Sequence, residues 1–80
     1  MHYVYILESA LSPERFYVGI TADLKARVAD HNAGRSSHTS KNRPWRLKWY
    51  CAFDSLPRAE AFEAYLKSAS GRAFQKKHIG

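Results

Sequence analysis

Two short stretches near the start of the chain decide the fold: HYVYIL (residues 2–7) and RFYVGI (residues 15–20). In each, side chains of two kinds alternate with a period of two, which is the pattern of a strand with one buried face. Serines and Pro13 lie between them and indicate a loop. Pairing the apolar faces as an antiparallel hairpin places Tyr5 and Tyr17 together on the opposite face, with their hydroxyls turned outward.

The elements predicted after the hairpin complete an α+β fold. They are a helix at 22–33, a loop at 34–44, a strand at 45–53, a helix that starts after Ser55 and stops at Ser70 or Gly71, and a short basic helix at 72–78. Thr21 suits the N-cap of the first helix and Gly34 its end. We therefore expect one domain, residues 1–80, with a small three-stranded antiparallel sheet flanked by helices in the order β-β-α-β-α-α.

The first predicted helix carries a fixed positive charge and an imidazole near one another. Leu24 and Val28 define its apolar stripe, and Arg27 and His31 lie at the edge of that stripe, one turn apart. A guanidinium holds two phosphate oxygens at once and stabilises developing negative charge. A histidine one turn on can orient an attacking water or donate to the phosphate. The alternatives are a salt bridge from Arg27 to a nearby aspartate and a purely structural histidine.

The tyrosines of the hairpin are the next candidates. A phenol, with a pKa near 10, can take a proton from water or relay one. Because tyrosine also suits a half-buried strand, packing is the alternative role for Tyr5 and Tyr17. Gly19 lies on the same face and is expected to leave a gap where a substrate backbone approaches. Tyr3 is nearer the chain end, and we expect it to pack.

Glu63 is the acid expected to hold a metal. It falls at the boundary of the apolar stripe of its helix, whereas Glu60 falls on the solvated side. A carboxylate at such a boundary can bind Mg²⁺ while water or substrate oxygens fill most other positions. The alternative is an ion pair with Lys67, four residues on.

The charge balance favours a polyanionic partner. Lysine and arginine outnumber aspartate and glutamate by 13 to 7, for a net charge of +6, and nucleic acid is the first candidate. The basic residues of the loop, third strand and tail are Arg35, Lys41, Arg43, Arg46, Lys48, Arg72, Lys76 and Lys77. Trp45 and Trp49 are candidates to stack on bases. From this set and its surroundings, nucleic-acid contacts are expected at Gly19, Lys41, Arg43 and Lys67, with an ordinary solvated face as the alternative.

Other classes of function receive no support from the sequence. Cys51 is the sole cysteine, so neither an internal disulfide nor a cysteine-based zinc site is expected. The start of the chain lacks a signal-peptide pattern, and no apolar stretch approaches the roughly 20 residues that span a bilayer. We therefore expect a cytoplasmic protein with no membrane partner, and the sequence does not indicate a protein partner.

Taken in order along the chain, these residues resemble the GIY-YIG nuclease family over nearly the whole length. YVY at residues 3–5 is similar to the first motif strand of that family, and YVG at residues 17–19 is similar to the second. The run that continues to Gly34, through Arg27 and His31, looks like the second motif strand and the arginine helix. Residues 53–63 are similar to the metal-binding helix. The likeness is greatest to small stand-alone bacterial members related to the excision-repair nuclease domain and to structure-selective junction nucleases.

The resemblance implies an endonuclease that hydrolyses DNA in one metal-assisted step, in a repair or recombination context. It implies that Tyr5 or Tyr17 acts as or assists the general base. It further implies that Arg27 binds the scissile phosphate, that His31 supports the water or phosphate, and that Glu63 coordinates one divalent ion, Mg²⁺ or Mn²⁺. The alternative function is a non-catalytic nucleic-acid-binding module that retains the scaffold. A protein-interaction domain without a role in nucleic-acid binding is the third.

Overall fold

The computed structural model describes residues 1–35 and 39–79. Three strands, β1 (His2–Ser9), β2 (Phe16–Thr21) and β3 (Trp45–Phe53), form an antiparallel sheet in the order β2-β1-β3. Three helices accompany them, α1 (Leu24–Asn32), α2 (Leu56–Lys67) and α3 (Ala69–His78), with a single 3₁₀ turn at Ser40–Asn42. The predicted α+β class and element order are confirmed, and the part of the predicted loop at residues 36–38 lies outside the described residues.

Both faces of the central strand β1 are buried, because helices cover the sheet on either side. On one face Val4 and Ile6 form a core with Ala59 and Leu66 of α2, and Phe74 of α3 packs against it. Each large apolar side chain buried in this way contributes about 1.5–3 kcal/mol.

The opposite face of the sheet forms a second core under α1. Tyr5, Leu7 and Trp45 are buried there, against Leu24 and Val28 of α1. The prediction that tyrosine hydroxyls turn outward on this face is therefore wrong for Tyr5, which is 1% exposed. The period-two pattern correctly assigned Tyr5 to this face of the sheet, but α1 covers the face and buries the side chain.

The helix boundaries differ from the predicted ones for local reasons. Asp23 rather than Thr21 caps α1, since the Asp23 side chain accepts a hydrogen bond from the Ala26 amide at 3.1 Å. Gly34 follows the helix with a φ of +77°, the left-handed conformation that glycine adopts without strain. The predicted end of α1 is thus confirmed to within two residues.

The break between the last two helices falls earlier than predicted, at Ser68. Its backbone is extended and its hydroxyl accepts a hydrogen bond from the Gly71 amide, so it caps α3. Gly71 therefore lies inside α3, where a Cβ would collide with the Tyr65 carbonyl at the end of α2. Ala69, the first residue of α3, is exposed as a consequence.

A bulge in β3 changes which residues of that strand face each core. Ile6 of β1 pairs with Trp49, but the next residue, Leu7, pairs with Leu47. Strict alternation along this strand would place Leu47, Trp49, Cys51 and Phe53 on one apolar face, and the bulge interrupts that face. Leu47 moves to the α1 side of the sheet and remains 39% exposed. Within the described residues, no helix is both long enough and apolar enough to span a bilayer.

Candidate active site

The site begins where Tyr5 crosses Gly19 on the neighbouring strand. The two residues are paired in the β1–β2 register. A Cβ placed on Gly19 would lie 2.5 Å from Tyr5 Oη and 2.6 Å from Tyr5 Cζ. The phenol of Tyr5 thus occupies the space that the missing side chain leaves. The sequence predicted that a substrate backbone would use this gap, and that prediction is wrong for the structure as described.

His31 on α1 lies directly behind Tyr5. Its imidazole is completely buried, with Nε2 2.9 Å from Tyr5 Oη and Nδ1 2.8 Å from Thr39 Oγ1. Burial lowers the pKa of His31, and the positive charge of Arg27 lowers it further. The ring is therefore neutral near pH 7 and hydrogen-bonded at both nitrogens. The predicted direct contact of His31 with a water or phosphate is not available to a ring held in this way.

Arg27, one turn before His31, faces the two phenols. Hydrogen bonding to the Tyr5 phenol is the main cause that raises the pKa of Arg27, and Tyr17 adds a smaller contribution of the same sign. The salt bridge that was the alternative is not formed. Asp23 caps α1, and Asp30 pairs with Arg35, with 2.7 Å between Oδ1 and Nη1. Among the described residues, no acid forms an ion pair with Arg27.

Tyr17 is the more accessible of the two phenols. Its ring centroid lies 4.8 Å from that of His31 and 6.2 Å from that of Tyr5, and the residue is half-buried. Burial raises the pKa of Tyr5, and hydrogen bonding to Arg27 opposes that increase. Tyr5 therefore stays protonated at neutral pH. Tyr3 packs edge-on against Tyr50, 6.0 Å between centroids, as expected for a tyrosine outside the cluster.

Glu63 approaches the cluster from α2. Its side chain is 26% exposed, and its carboxylate lies 3.3 Å from Lys67 Nζ, so the ion pair foreseen as the alternative is present. The charge of Glu63 also reaches Tyr5, where it is the last of several causes that raise the pKa of the phenol, burial being the first. Glu60 is exposed, as predicted.

The donor set near Glu63 constrains what kind of metal site it can form. The described residues contain no group of three or more histidine, cysteine or acidic side chains placed to hold an ion. One carboxylate fits a hard cation such as Mg²⁺, which retains several waters and takes further oxygens from a bound phosphate. It does not fit an ion that needs a cage of protein ligands.

Among the residues predicted to contact nucleic acid, the two loop cations are exposed, whereas both tryptophans pack inside the fold. Lys41 and Arg43 are exposed, and the Arg43 guanidinium lies against Gly34 at the end of α1. Trp45 cannot stack on a base, because it is 5% exposed and its indole donates to the Thr39 carbonyl. Trp49 packs against Phe62 in the first core, 5.8 Å between centroids.

Two residues near the site were missed by sequence reasoning. Thr39 holds Nδ1 of His31 but follows a polar loop, and nothing in its surroundings marks it. Phe16 alternates with Val18 and Ile20 as a core residue would, yet it is 48% exposed. It is the first residue of an edge strand, where the covering helices no longer reach.

Comparison with known proteins identifies relatives of this chain. Residues 1–78 match the family described as the GIY-YIG catalytic domain. The chain is 38% identical over 78 residues to a UPF0213 protein of Streptococcus pyogenes serotype M5 (strain Manfredo), covering 96% of this chain and 83% of that one. A serotype M3 homologue (strain ATCC BAA-595 / MGAS315) is 37% identical with the same coverage. The solution NMR structure of the UPF0213 protein BH0048 from Bacillus halodurans superposes with a TM-score of 0.57. It is 34% identical and covers 95% of this chain and 80% of that one.

Proposed function

This chain belongs to the GIY-YIG family, and from that premise we propose that it is a metal-dependent endonuclease that hydrolyses DNA phosphodiester bonds. In this proposal residues 1–80 form one catalytic domain that works in the cytoplasm, in DNA repair or recombination. Family membership supports a nuclease and a nucleic-acid substrate. The choice of DNA, of a divalent ion and of individual residue roles is the proposal.

The observation that carries the proposal is the arrangement of accessible groups in front of a buried pair. Tyr17, Arg27 and Glu63 each keep part of their surface open. Behind them Tyr5 and His31 are buried and hydrogen-bonded to each other. Such a layered site holds its reactive groups in fixed orientation, which is a requirement for catalysis by positioning and electrostatics.

The accessible groups have complementary roles at a phosphodiester. Arg27 binds two non-bridging oxygens of the scissile phosphate and stabilises the charge that builds up there. The Tyr17 oxygen orients the attacking water and accepts its proton as the new bond to phosphorus forms, while the phenol passes its own proton on to solvent. The bond from phosphorus to the leaving oxygen breaks, and that oxygen takes a proton from solvent. Tyr17 is favoured over Tyr5 as the base because only Tyr17 is accessible.

The buried pair positions these groups. Arg27 can only donate hydrogen bonds and interacts favourably with the Tyr5 oxygen, so in this proposal that oxygen faces Arg27 as an acceptor and the Tyr5 proton points to His31 Nε2. The neutral imidazole then carries its proton on Nδ1 and donates it to Thr39 Oγ1. This assignment gives the Tyr5 hydroxyl and the His31 Nδ1–H an acceptor each.

Glu63 is the residue that would hold the divalent ion. When bound, Mg²⁺ or Mn²⁺ supplies Lewis-acid polarisation of the phosphate and charge stabilisation. The carboxylate itself contributes one ligand and a net negative charge at the edge of a positively charged site. Lys67 competes for that carboxylate in the structure, with 3.3 Å between the charged atoms. Because the Lys67 side chain is 55% exposed, the ion pair contributes at most about 1 kcal/mol, so the carboxylate would be only weakly held against a divalent ion.

Incubation with branched and nicked DNA in the presence of Mg²⁺ or Mn²⁺ tests the proposal. Glu63→Ala should abolish cleavage while salt-sensitive DNA binding persists, and the matched variant Glu60→Ala, an exposed acid on the same helix, should cleave at the wild-type rate. Binding by the wild type without cleavage in either metal would favour the non-catalytic module. Absence of salt-sensitive binding would favour a protein-interaction domain. Equal loss in both variants would remove Glu63 from its assigned position.

A further inference from the structure

A groove lies next to the candidate active site, between the end of the sheet and the paired helices α2 and α3. It has a volume of about 940 Å³, and its floor is partly apolar. The cations along it, which define what we call the basic groove, are Arg15, Lys48, Lys67, Arg72 and Lys76. Among the described residues that line it, Glu14 is the one acid. A concave surface with this charge excess concentrates a polyanion.

Some of these cations are already paired with a carboxylate of the protein and are less available to bind a phosphate. Lys48 lies 3.5 Å from a Glu8 carboxylate oxygen, and Lys67 pairs with Glu63. Within the described part of the chain, Arg15, Arg72 and Lys76 form no ion pair. Three exposed cations that the protein itself does not neutralise therefore remain along the groove.

An exposed aromatic ring lies among these charges. Phe16 is 48% exposed, and Lys48 Nζ lies 4.7 Å from the centroid of its ring. Lys48 Nζ lies over this ring, but nearly half of the residue remains exposed, in the same groove as the three unpaired cations. Such a combination suits a nucleotide, whose base stacks while its phosphate is held. A duplex offers no such base, because its neighbours already cover both faces. The groove therefore fits an unpaired strand.

The groove is continuous with the candidate active site. Tyr17 contributes to its lining and belongs to the candidate active site, so β2 carries both, with Phe16 and Tyr17 adjacent in sequence. Successive side chains of a strand point to opposite faces, but β2 lies at the sheet edge and both residues line the groove. A DNA strand with its scissile phosphate at Tyr17 can therefore continue around this edge along the groove past Phe16. Resting on the proposed nuclease function, we propose that the basic groove binds a single-stranded DNA flank of the substrate, with one base stacked on Phe16 and its phosphates on Arg72, Arg15 and Lys76.

The proposal is tested by binding in metal-free buffer, so it does not depend on cleavage. Three labelled DNAs are compared by fluorescence anisotropy: a blunt duplex, the same duplex with a single-stranded flank, and that flank made abasic. The wild type should bind the natural flank more tightly than either other DNA. Phe16→Ala should weaken binding to the flanked duplex about 5- to 150-fold and binding to the blunt duplex by less than about 2-fold. Phe16→Trp, which keeps a stacking surface, should bind like the wild type.

Matched controls distinguish the groove from the surface in general. Tyr50→Ala removes an aromatic ring of similar exposure, 51%, from the other edge strand and should leave binding unchanged. Arg72→Gln should lower the salt dependence of binding to the flanked DNA by about 0.7 in the log–log slope. Arg58→Gln, an exposed arginine outside the groove, should not change it.

Specific outcomes would overturn the inference. They are equal binding of natural and abasic flanks, equal effects of Phe16→Ala and Tyr50→Ala, or a loss in Phe16→Ala that is the same for the blunt duplex. Thermal unfolding of each variant excludes loss of fold as the cause. If cleavage is absent while the flank preference holds, the nuclease proposal fails and the groove stands. If cleavage is present without flank preference, the reverse is true.

Discussion

Substitution of Gly19 by alanine is the most quantitative test of how the site is built. The added Cβ would lie 2.5 Å from Tyr5 Oη and 3.0 Å from Tyr17 Cε2, where ordinary contacts begin at 3.4 Å. The Tyr5 ring would have to move by about 0.9 Å within a packed core. It is 1% exposed and hydrogen-bonded to His31, so it has little freedom to do so.

The expected cost of Gly19→Ala follows from two contributions. Overpacking a core costs about 1–3 kcal/mol, and loosening the 2.9 Å contact between Tyr5 Oη and His31 Nε2 leaves a buried nitrogen poorly paired, at about 1–3 kcal/mol. Alanine recovers about 0.5–1 kcal/mol of strand propensity over glycine. We expect a net loss of about 2–4 kcal/mol in the free energy of unfolding, and a fall in Tm of at least about 8 °C for a domain of this size.

Urea unfolding followed by circular dichroism measures this loss. Ala52→Val adds carbon atoms at an exposed position of β3 and serves as the control, expected to stay within about 0.5 kcal/mol of the wild type. A Gly19→Ala variant as stable as the control would show that Tyr5 does not lie over Gly19. In that case the position of Tyr5 against His31 could not be attributed to the space left by Gly19.

Three further predictions follow from the same geometry. Tyr5→Phe should lower the free energy of unfolding by about 1–3 kcal/mol, because His31 Nε2 loses its hydrogen-bond partner. Tyr17→Phe should change it by less than about 0.5 kcal/mol but abolish cleavage. If urea unfolding showed the larger loss in Tyr17→Phe, Tyr17 rather than Tyr5 would be the structural tyrosine. Because burial lowers the pKa of His31 in the fold, the unfolded chain binds a proton first, so the stabilising effect of the neutral ring is complete above about pH 6.5 and is lost as the pH falls towards the folded-state pKa. His31→Gln should show a flatter stability profile over that window, and parallel profiles would contradict the buried neutral ring. Removal of divalent ions with EDTA should stop cleavage but leave DNA binding, and cleavage that persists in EDTA would exclude a metal at Glu63.

The local patterns of the sequence predicted the element order well because each element carries its own signal. Alternation located β1 and β2, and the spacing of Leu24 and Val28 placed α1 against the sheet. The helix-wheel position of Glu63 relative to Glu60 also agrees with their exposure.

The sequence failed where a contact depends on elements that are distant along the chain. No local signal in the sequence indicates which face of the sheet α1 covers. Tyr5 was therefore expected to be exposed, and Gly19 was expected to leave a gap. The bulge in β3 is a property of pairing with β1, and it reversed the expected position of Leu47. Thr39 lies eight residues after His31, within the predicted loop, and a single sequence carries no mark of their hydrogen bond.

The central claim is that Glu63, Tyr17 and Arg27 lie together in one site. Titration with Mn²⁺ followed by NMR tests this claim most directly. A paramagnetic ion at Glu63 should first broaden the ring signals of Tyr17 and the side-chain Nε–H signal of Arg27, and it should leave the ring of Tyr50 sharp until higher concentrations. The broadening should disappear in Glu63→Gln. Broadening centred elsewhere, or unchanged in that variant, would contradict a shared site for these three side chains.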